Sequence, residues 1–429
     1  MTTDAEIPGA TELPALRRRI AAVLVATQIL GGLGVATGIA LASVLAQEVG
    51  GTEALAGLAP TATVAGTALL SVPLAALMTA RGRRPGLVLA YVIGAAGAGV
   101  VVWAAVIGSF PLLLAGMAGF GAGSSANLQA RFAAADLAEP ERRGRAISTV
   151  VWATTVGAVL GPNIAAPAGR SVAGLGVPAA AGPFLWAAGV FLVSAVVVAV
   201  LLRPDPLLTA RALAAGTEGD GKPGGRSLRA GVSAVRESPR ARLALVTVAV
   251  AHTAMVSIMS MTPVALGHHG AGITLIGLVI SGHIAGMYAF SPVMGRLADR
   301  LGRLAVIGLA VGLLALAALL AGTAGANHGQ TATGLFVLGL GWSAALVSGS
   351  ALLTDSVPQA ARAAVQGLSD LIMNSAAGIG GAAAGLIVAR AGYGWLNAVG
   401  ALLLLPLAAL ALRGTGAFRP GPDGRAGQG

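Results

Sequence analysis

Pro292-Val293-Met294-Gly295-Arg296-Leu297-Ala298-Asp299-Arg300-Leu301-Gly302-Arg303 is a short basic stretch with a single acid, set between two apolar runs. A second stretch, Pro73-Leu74-Ala75-Ala76-Leu77-Met78-Thr79-Ala80-Arg81-Gly82-Arg83-Arg84, stands 219 residues earlier, and Asp136 and Asp355 are separated by the same shift. Each pair follows an apolar run at an equivalent place, as duplication of a multi-span unit predicts. The two copies differ at one telling position, where Ala80 stands in place of Asp299.

Working outward, the 429 residues are 56% hydrophobic and 10% charged, with a mean hydropathy of +0.83. That is too apolar for a chain that must cover its surface with polar groups, and it places the protein in a bilayer. Apolar stretches of spanning length fall at about 20–45, 55–79, 86–107, 110–132, 146–168, 179–202, 243–266, 272–294, 304–322, 333–354, 364–389 and 395–412. The expected fold class is all-α integral membrane: twelve transmembrane helices in two six-helix, pseudo-symmetric halves, residues 20–202 and 243–412. Residues 203–242, rich in Arg, Gly, Ser and Pro, predict a flexible linker between them, and 1–19 and 413–429 are tails. The 64 glycines suit close helix packing through small residues.

A formal charge of +11 could point to nucleic acid, but its placement follows the membrane. Of the 27 Lys and Arg, all but Arg170 and Arg390 fall on one side if the N-terminus is cytoplasmic. Such a bias predicts a multi-pass protein of the cytoplasmic membrane with both termini inside. No removable signal peptide is read at the N-terminus. Zero cysteines exclude disulfides and thiolate metal sites, so any soft ligand must be Met.

On these residues the chain resembles the major facilitator superfamily. Gly295-Arg296-Leu297-Ala298-Asp299-Arg300-Leu301-Gly302-Arg303 is similar to that family's G-x-L-a-D-r-x-G-r-r signature. The resemblance implies that Asp299, Arg300 and Arg303 form a charge latch at helix ends that stabilises one access state. With Ala80 in the earlier copy, a symmetric latch is not expected, and Arg83 and Arg84 are read as topology signals only. Gly157-x-x-x-Gly161-Pro162 resembles a motif of the superfamily's antiporters, but small residues at that spacing also serve helix packing, which is the favoured reading.

Two stripes of soft side chains stand out. His252, Met255 and Met259 lie within about 60° of one another on a helix of ~100° per residue, and His283, Met287 and Met294 form a second narrow stripe. Thioether and imidazole together suit Cu(I) better than oxygen-seeking cations, so two facing stripes could pass a copper ion along. Met is also a flexible gap-filler, and Met255 and Met259 alone read as packing. An intramembrane His is costly and marks a pathway by default, so His283 is the first candidate, whereas His252 divides evenly between ligand and packing. His268 and His269, in the outward loop, read as solvated.

The pattern M-x-x-x-M followed by H-x-x-x-M resembles the CcoA-type copper importers, a branch of the same superfamily. That resemblance implies copper uptake across the cytoplasmic membrane, with Met255, Met259, His283 and Met287 handling the ion as substrate and no bound cofactor. Relatives in the branch carry other solutes, riboflavin among them. Asp370 could carry a coupling proton, and Arg131 could pair with Asp136 or snorkel. Asn127, Asn163 and Asn374 are candidates for lining a cavity or bonding neighbouring helices.

No Walker-type loop, nucleophile elbow or zincin pair occurs, so neither an ATP-driven pump nor an enzyme is expected. The expectation is an alternating-access secondary transporter, acting as a monomer, with the bilayer, the solute and protons as its partners and no nucleic acid. Copper import is the favoured activity. The alternative is proton-coupled transport of a small organic solute, as drug efflux or vitamin uptake. A membrane sensor or scaffold, the other class, is disfavoured by the preserved latch sequence.

Overall fold

The computed structural model describes residues 12–52, 55, 57–172, 174–215, 228–271 and 273–416, and among them it contains helices and turns but no strand. The long helices of the first part are α1 (Leu13–Gly50), α2 (Leu58–Arg81), α3 (Arg83–Ile107), α4 (Phe110–Asp136), α5 (Arg143–Ser171) and α6 (Gly182–Leu201). Two short helices follow, α7 (Pro206–Ala215) and α8 (Leu228–Glu237). The second part comprises α9 (Pro239–His268), α10 (Ile273–Tyr288), α11 (Ser291–Arg300), α12 (Arg303–Thr323), α13 (His328–Asp355), α14 (Arg362–Ala391) and α15 (Tyr393–Gly416).

Among the described residues nine helical stretches are long and apolar enough to cross a membrane, and α5, bent by 53° next to residue 162, makes a tenth. The fourth and twelfth expected spans are not among them. Helix α4 carries Asn127, Gln129, Arg131 and Asp136 and turns most of its length into the protein, so it has little need of an apolar surface. In α15 the apolar stretch among residues with described side chains is Tyr393–Ala409, and the apolar sequence runs on to Leu412. Helices α10 and α11 form one broken span, Leu275–Arg300. The break precedes Pro292, which has no amide proton to give, and Ser291 Oγ lies 2.7 Å from the Tyr288 carbonyl left over there.

Large apolar side chains such as Trp103, Leu278, Ile379 and Leu402 stand exposed on the outside, as a lipid-facing surface requires. Inside, Phe120 packs against Phe184 and Phe191 at 5.4 Å in a cluster drawn almost wholly from α1–α7. A second cluster, centred on Trp342, Leu314 and Met255, is drawn from α9–α15 plus Ala135, Ile147 and Val151. Helix backbones approach closely through glycine: a Cβ on Gly97 would sit 2.3 Å from the Phe120 amide nitrogen, and one on Gly286 2.5 Å from the Phe336 carbonyl.

The duplicated basic stretches form equivalent tight turns. Gly82 joins α2 to α3 at φ +94° and Gly302 joins α11 to α12 at φ +90°, a conformation that other residues adopt only under strain. The segment predicted to be a flexible linker is helical on both sides of residues 216–227, which lie outside the described residues. Asp205 accepts from the Arg84, Leu207 and Leu208 amides. Arg211 donates to the Thr79 carbonyl, and Val235 of α8 packs in a cluster with Val365 and Leu368. Those contacts fasten both ends of the linker to the helix bundle.

Candidate functional site

Helices α2, α4 and α5 meet α10, α11, α13 and α14 along a seam, and the polar bonds that cross it lie toward the arginine-rich helix ends. At the rim, Asp299 of α11 accepts from the amides of Gly144 at 2.9 Å and Arg145 at 2.8 Å. These are donors in the first turn of α5, where a carboxylate is favoured by unpaired N–H groups and the helix dipole. Arg303 holds Asp299 at 2.7 Å and Asp355 at 3.3 Å, and Arg143 pairs with Asp355 from across the seam. Gly144 permits this approach, since a Cβ there would meet Asp299 Oδ1 at 2.7 Å. Ala80 offers no carboxylate at the counterpart position, so these bonds to Asp299 have no equivalent made by the earlier copy's residue 80. Arg300 is exposed and makes no ion pair among the described residues, so of the two arginines expected beside Asp299 only Arg303 joins it.

Deeper in, a fully enclosed polar network crosses the seam. Arg83 grips Asp136 through Nε at 2.7 Å and Nη2 at 3.2 Å. Its Nη1 reaches Gln129 Oε1 at 3.1 Å, and it also donates to Gln366 of α14. Gln129 donates to Asp370 Oδ2 at 2.7 Å, and Arg131 donates to Asp370 Oδ1 at 2.6 Å. Two guanidinium groups thus meet two carboxylates, all of them 5% exposed or less. Burial of this kind is tolerated only where charges are paired and bonded.

This corrects two expectations. Arg131 does not pair with Asp136; Asp136 is taken by Arg83, and Arg131 turns to Asp370 on the other side of the seam. Nor is Arg83 a topology signal, because a residue at 0% exposure is not held at the surface by charge bias. Gln129, Gln366 and the pairing of Arg143 were missed. One signal was available: Arg131 Nε lies 3.3 Å from Ser350 Oγ, and these residues are themselves separated by the 219-residue repeat, so they approach near the pseudo-symmetry axis.

The soft-ligand residues do not form two facing stripes. His252 of α9 accepts from Trp342 Nε1 of α13 at 2.9 Å, and His283 of α10 bonds the Leu335 carbonyl, also of α13, through Nδ1 at 2.8 Å. The two histidines are thus directed onto α13 rather than onto each other, and Gly286 and Gly339 bring α10 and α13 into backbone contact. Met255, Met287 and Met294 sit in the apolar core and Met259 at its edge. Among the described residues no group of three or more His, Cys, Asp or Glu is placed to hold a metal.

A small aromatic and polar cluster adjoins the seam. Tyr288 meets Trp342 edge-on at 5.6 Å, and His252 lies 6.0 Å from the Trp342 ring. Arg131 Nη1 is buried with no hydrogen-bond partner, and the guanidinium carbon lies 4.5 Å from the centre of the Phe132 ring.

The remaining candidates are structural in their contacts. Asn127 accepts from Tyr91 Oη at 3.0 Å, Asn374 donates to the Asp370 carbonyl at 2.8 Å, and Asn163 is exposed and bonds Val159 of its own helix. Gly157 is seated against α1, where a Cβ would lie 2.5 Å from the Gly32 carbonyl carbon, and Gly161 abuts Ala36. His268 is exposed, and His269 bonds the Ala265 carbonyl one turn back.

The sequence profile described as Major Facilitator Superfamily matches residues 23–272 and 244–428. The chain is 38% identical over 393 residues to the "Uncharacterized MFS-type transporter YdeG" of Bacillus subtilis (strain 168), covering 91% of each. It is 30% identical over 405 residues to the "Riboflavin transporter RfnT" of Brucella anthropi, covering 94% of this chain and 96% of the relative. Among solved structures, the human organic anion transporter MFSD10 (TETRAN) superposes with a TM-score of 0.71 at 17% identity over 92% of this chain and 99% of that one. That likeness concerns the fold alone.

Proposed function

The chain belongs to the major facilitator superfamily, and on that premise we propose that it carries a small organic solute with an aromatic portion and a hydrogen-bond acceptor, driven by protons through Asp370. The observation that carries this reading is the state of Arg131: Nη2 holds Asp370 across the seam while Nη1, equally buried, has no partner. A buried guanidinium donor left unmade is costly, and a carbonyl or anionic oxygen of a bound solute would satisfy it. Arg131 touches Ser350 of α13, about two helical turns from Trp342, so a solute extended along α13 from that donor would set its ring against Tyr288, Trp342 and His252, where aromatic contacts add about 0.5–1.5 kcal/mol beyond burial. The similarity to a riboflavin transporter supports a solute of this chemistry.

The proposed cycle follows from the same pair. With Asp370 ionised, Arg131 and Gln129 bind α4 to α14 and the arginine-rich end stays shut. Proton uptake by Asp370 neutralises it, weakens its hold on Arg131, and frees the guanidinium for the solute. The halves can then rock about the seam, breaking the outer latch at Asp299 as the second step. We place the protein in the cytoplasmic membrane with the arginine-rich end inside, on the charge bias of its loops.

A second reading keeps copper as the substrate. It has one specific support: His283 Nε2 is buried without a partner, one helical turn from Met287, and an imidazole lone pair beside a thioether suits Cu(I).

Uptake into proteoliposomes under an imposed pH gradient separates the two. Labelled riboflavin, with other acceptor-bearing aromatic solutes in competition, should accumulate or be displaced, and Cu(I) should not be taken up. Copper uptake with no transport of any aromatic solute would overturn the first reading in favour of the second.

A further inference from the structure

We infer that the cavity between the first turns of α1, the end of α4 and the start of α5 is a binding site for the headgroup of an anionic phospholipid. The cavity has a volume of about 500 Å³. Arg17 and Arg18 of α1 and Arg142 and Arg145 beside and within α5 stand around it, with Glu139 as its single acid. Glu139 answers only part of that charge, pairing with Arg17 at 2.5 Å and Arg142 at 3.5 Å. The side chains of Arg18 and Arg145 make no hydrogen bond or ion pair among the described residues. Arg17 Nε is buried without a partner. Four guanidinium groups gathered around one carboxylate leave three positive charges uncompensated, and like charges so placed repel unless an anion joins them.

The rest of the lining decides which anion. Ile20, Leu137 and Val150 give the cavity an apolar floor, where a free phosphate gains nothing but glycerol and acyl carbons are at home. The cavity also lies beside the first turns of α1, a helix long and apolar enough to cross a membrane, and basic pockets at the ends of such helices attract anionic lipids. One amphiphile satisfies both parts: its phosphate bridges the arginines and its upper chain covers the floor. Occupancy would bear on the seam as well. The Arg145 amide is one of the two donors held by Asp299, so an anion that gathers Arg142 and Arg145 steadies the helix start on which the latch closes. None of this depends on which solute the protein carries.

The test is native mass spectrometry of the purified full chain with phosphatidylglycerol or phosphatidylcholine of identical acyl chains, beside thermal unfolding with each lipid and with inorganic phosphate. Wild type should retain phosphatidylglycerol severalfold over phosphatidylcholine and gain thermal stability from it but not from phosphate. In Arg18→Gln/Arg145→Gln that preference should fall to near parity, while Arg296→Gln, an exposed change on α11, should keep it. Should the double variant fold poorly, Arg18→Gln alone, a change at an exposed position of the cavity lining, should still reduce the preference by about half. An undiminished preference in the Arg18 variants would overturn the site. Stabilisation by phosphate equal to that by phosphatidylglycerol would overturn the lipid assignment and leave a small-anion site.

Discussion

Arg131 of α4 and Asp370 of α14 are joined at 2.6 Å across the seam, with both side chains at 2% exposure or less. A buried pair of this kind gives little net stability, but removing one partner strands the other charge at a cost of ~3–5 kcal/mol. It is therefore suited to a switch, because protonating one member releases the other without any covalent step.

Asp370→Asn should retain solute exchange between equal compartments and lose accumulation against a gradient. Asn keeps the shape and one acceptor but cannot bind and release a proton. Counterflow and gradient-driven uptake in the same proteoliposomes check this. Accumulation at the wild-type level would remove Asp370 from coupling.

Arg83→Gln leaves the Asp136 carboxylate enclosed without its bidentate partner, and it should destabilise the purified protein by about 3–5 kcal/mol. Adding Asp136→Asn should restore part of that loss, since the stranded charge is then gone. Thermal unfolding of the two single variants and the double variant measures the recovery. Equal, additive losses would contradict a direct pair.

Asp299→Asn weakens the acceptor for the Gly144 and Arg145 amides and the contact to Arg303. A helix-cap loss of this kind costs roughly 0.5–2 kcal/mol, enough to shift a balanced pair of access states severalfold. Initial uptake rates should change while the pattern of competing solutes stays the same. Unchanged rates would reduce this stretch to a turn that orients the chain.

Trp342→Phe removes the donor to His252 and should weaken apparent solute affinity by about tenfold with normal membrane abundance, given ~1 kcal/mol for the hydrogen bond and part of the ring contact. Met287→Leu preserves volume and should leave organic-solute transport unchanged. Concentration dependence of uptake in both variants checks the assignment. Loss of transport in the Met287 variant would move the substrate to the sulfur-lined face of α10.

Much of the fold was legible because membrane insertion acts on composition and on helix length, which sequence displays directly, and because the 219-residue repeat fixed equivalent loops. Asp299 could be located for the same reason: Gly302 and its neighbours form a local turn. The seam was not legible, because the partners of Arg131, Ser350 and Asp370, lie on two helices more than two hundred residues away, and nothing in periodicity says which buried charge meets which. Arg83 misled by its company, standing in a run of arginines of which it alone is enclosed. Periodicity fixes a face and not what it faces: His252 and His283 both turn onto α13, and Met294 falls on α11, beyond the break that ends α10. Helix α4 was found despite a polar content that a lipid-facing helix would not carry.

The most direct test of the seam as the lock uses the absence of native cysteine. Spin labels on Thr149→Cys of α5 and Arg296→Cys of α11, both at exposed positions, report the width of the arginine-rich end by pulsed electron resonance. In otherwise wild-type protein at neutral pH the distance distribution should be short and narrow. With Asp370→Asn, or on acidification, a longer population should appear. An unchanged distribution in both cases would contradict the account, since the end would then be held shut by something other than the Arg131–Asp370 pair.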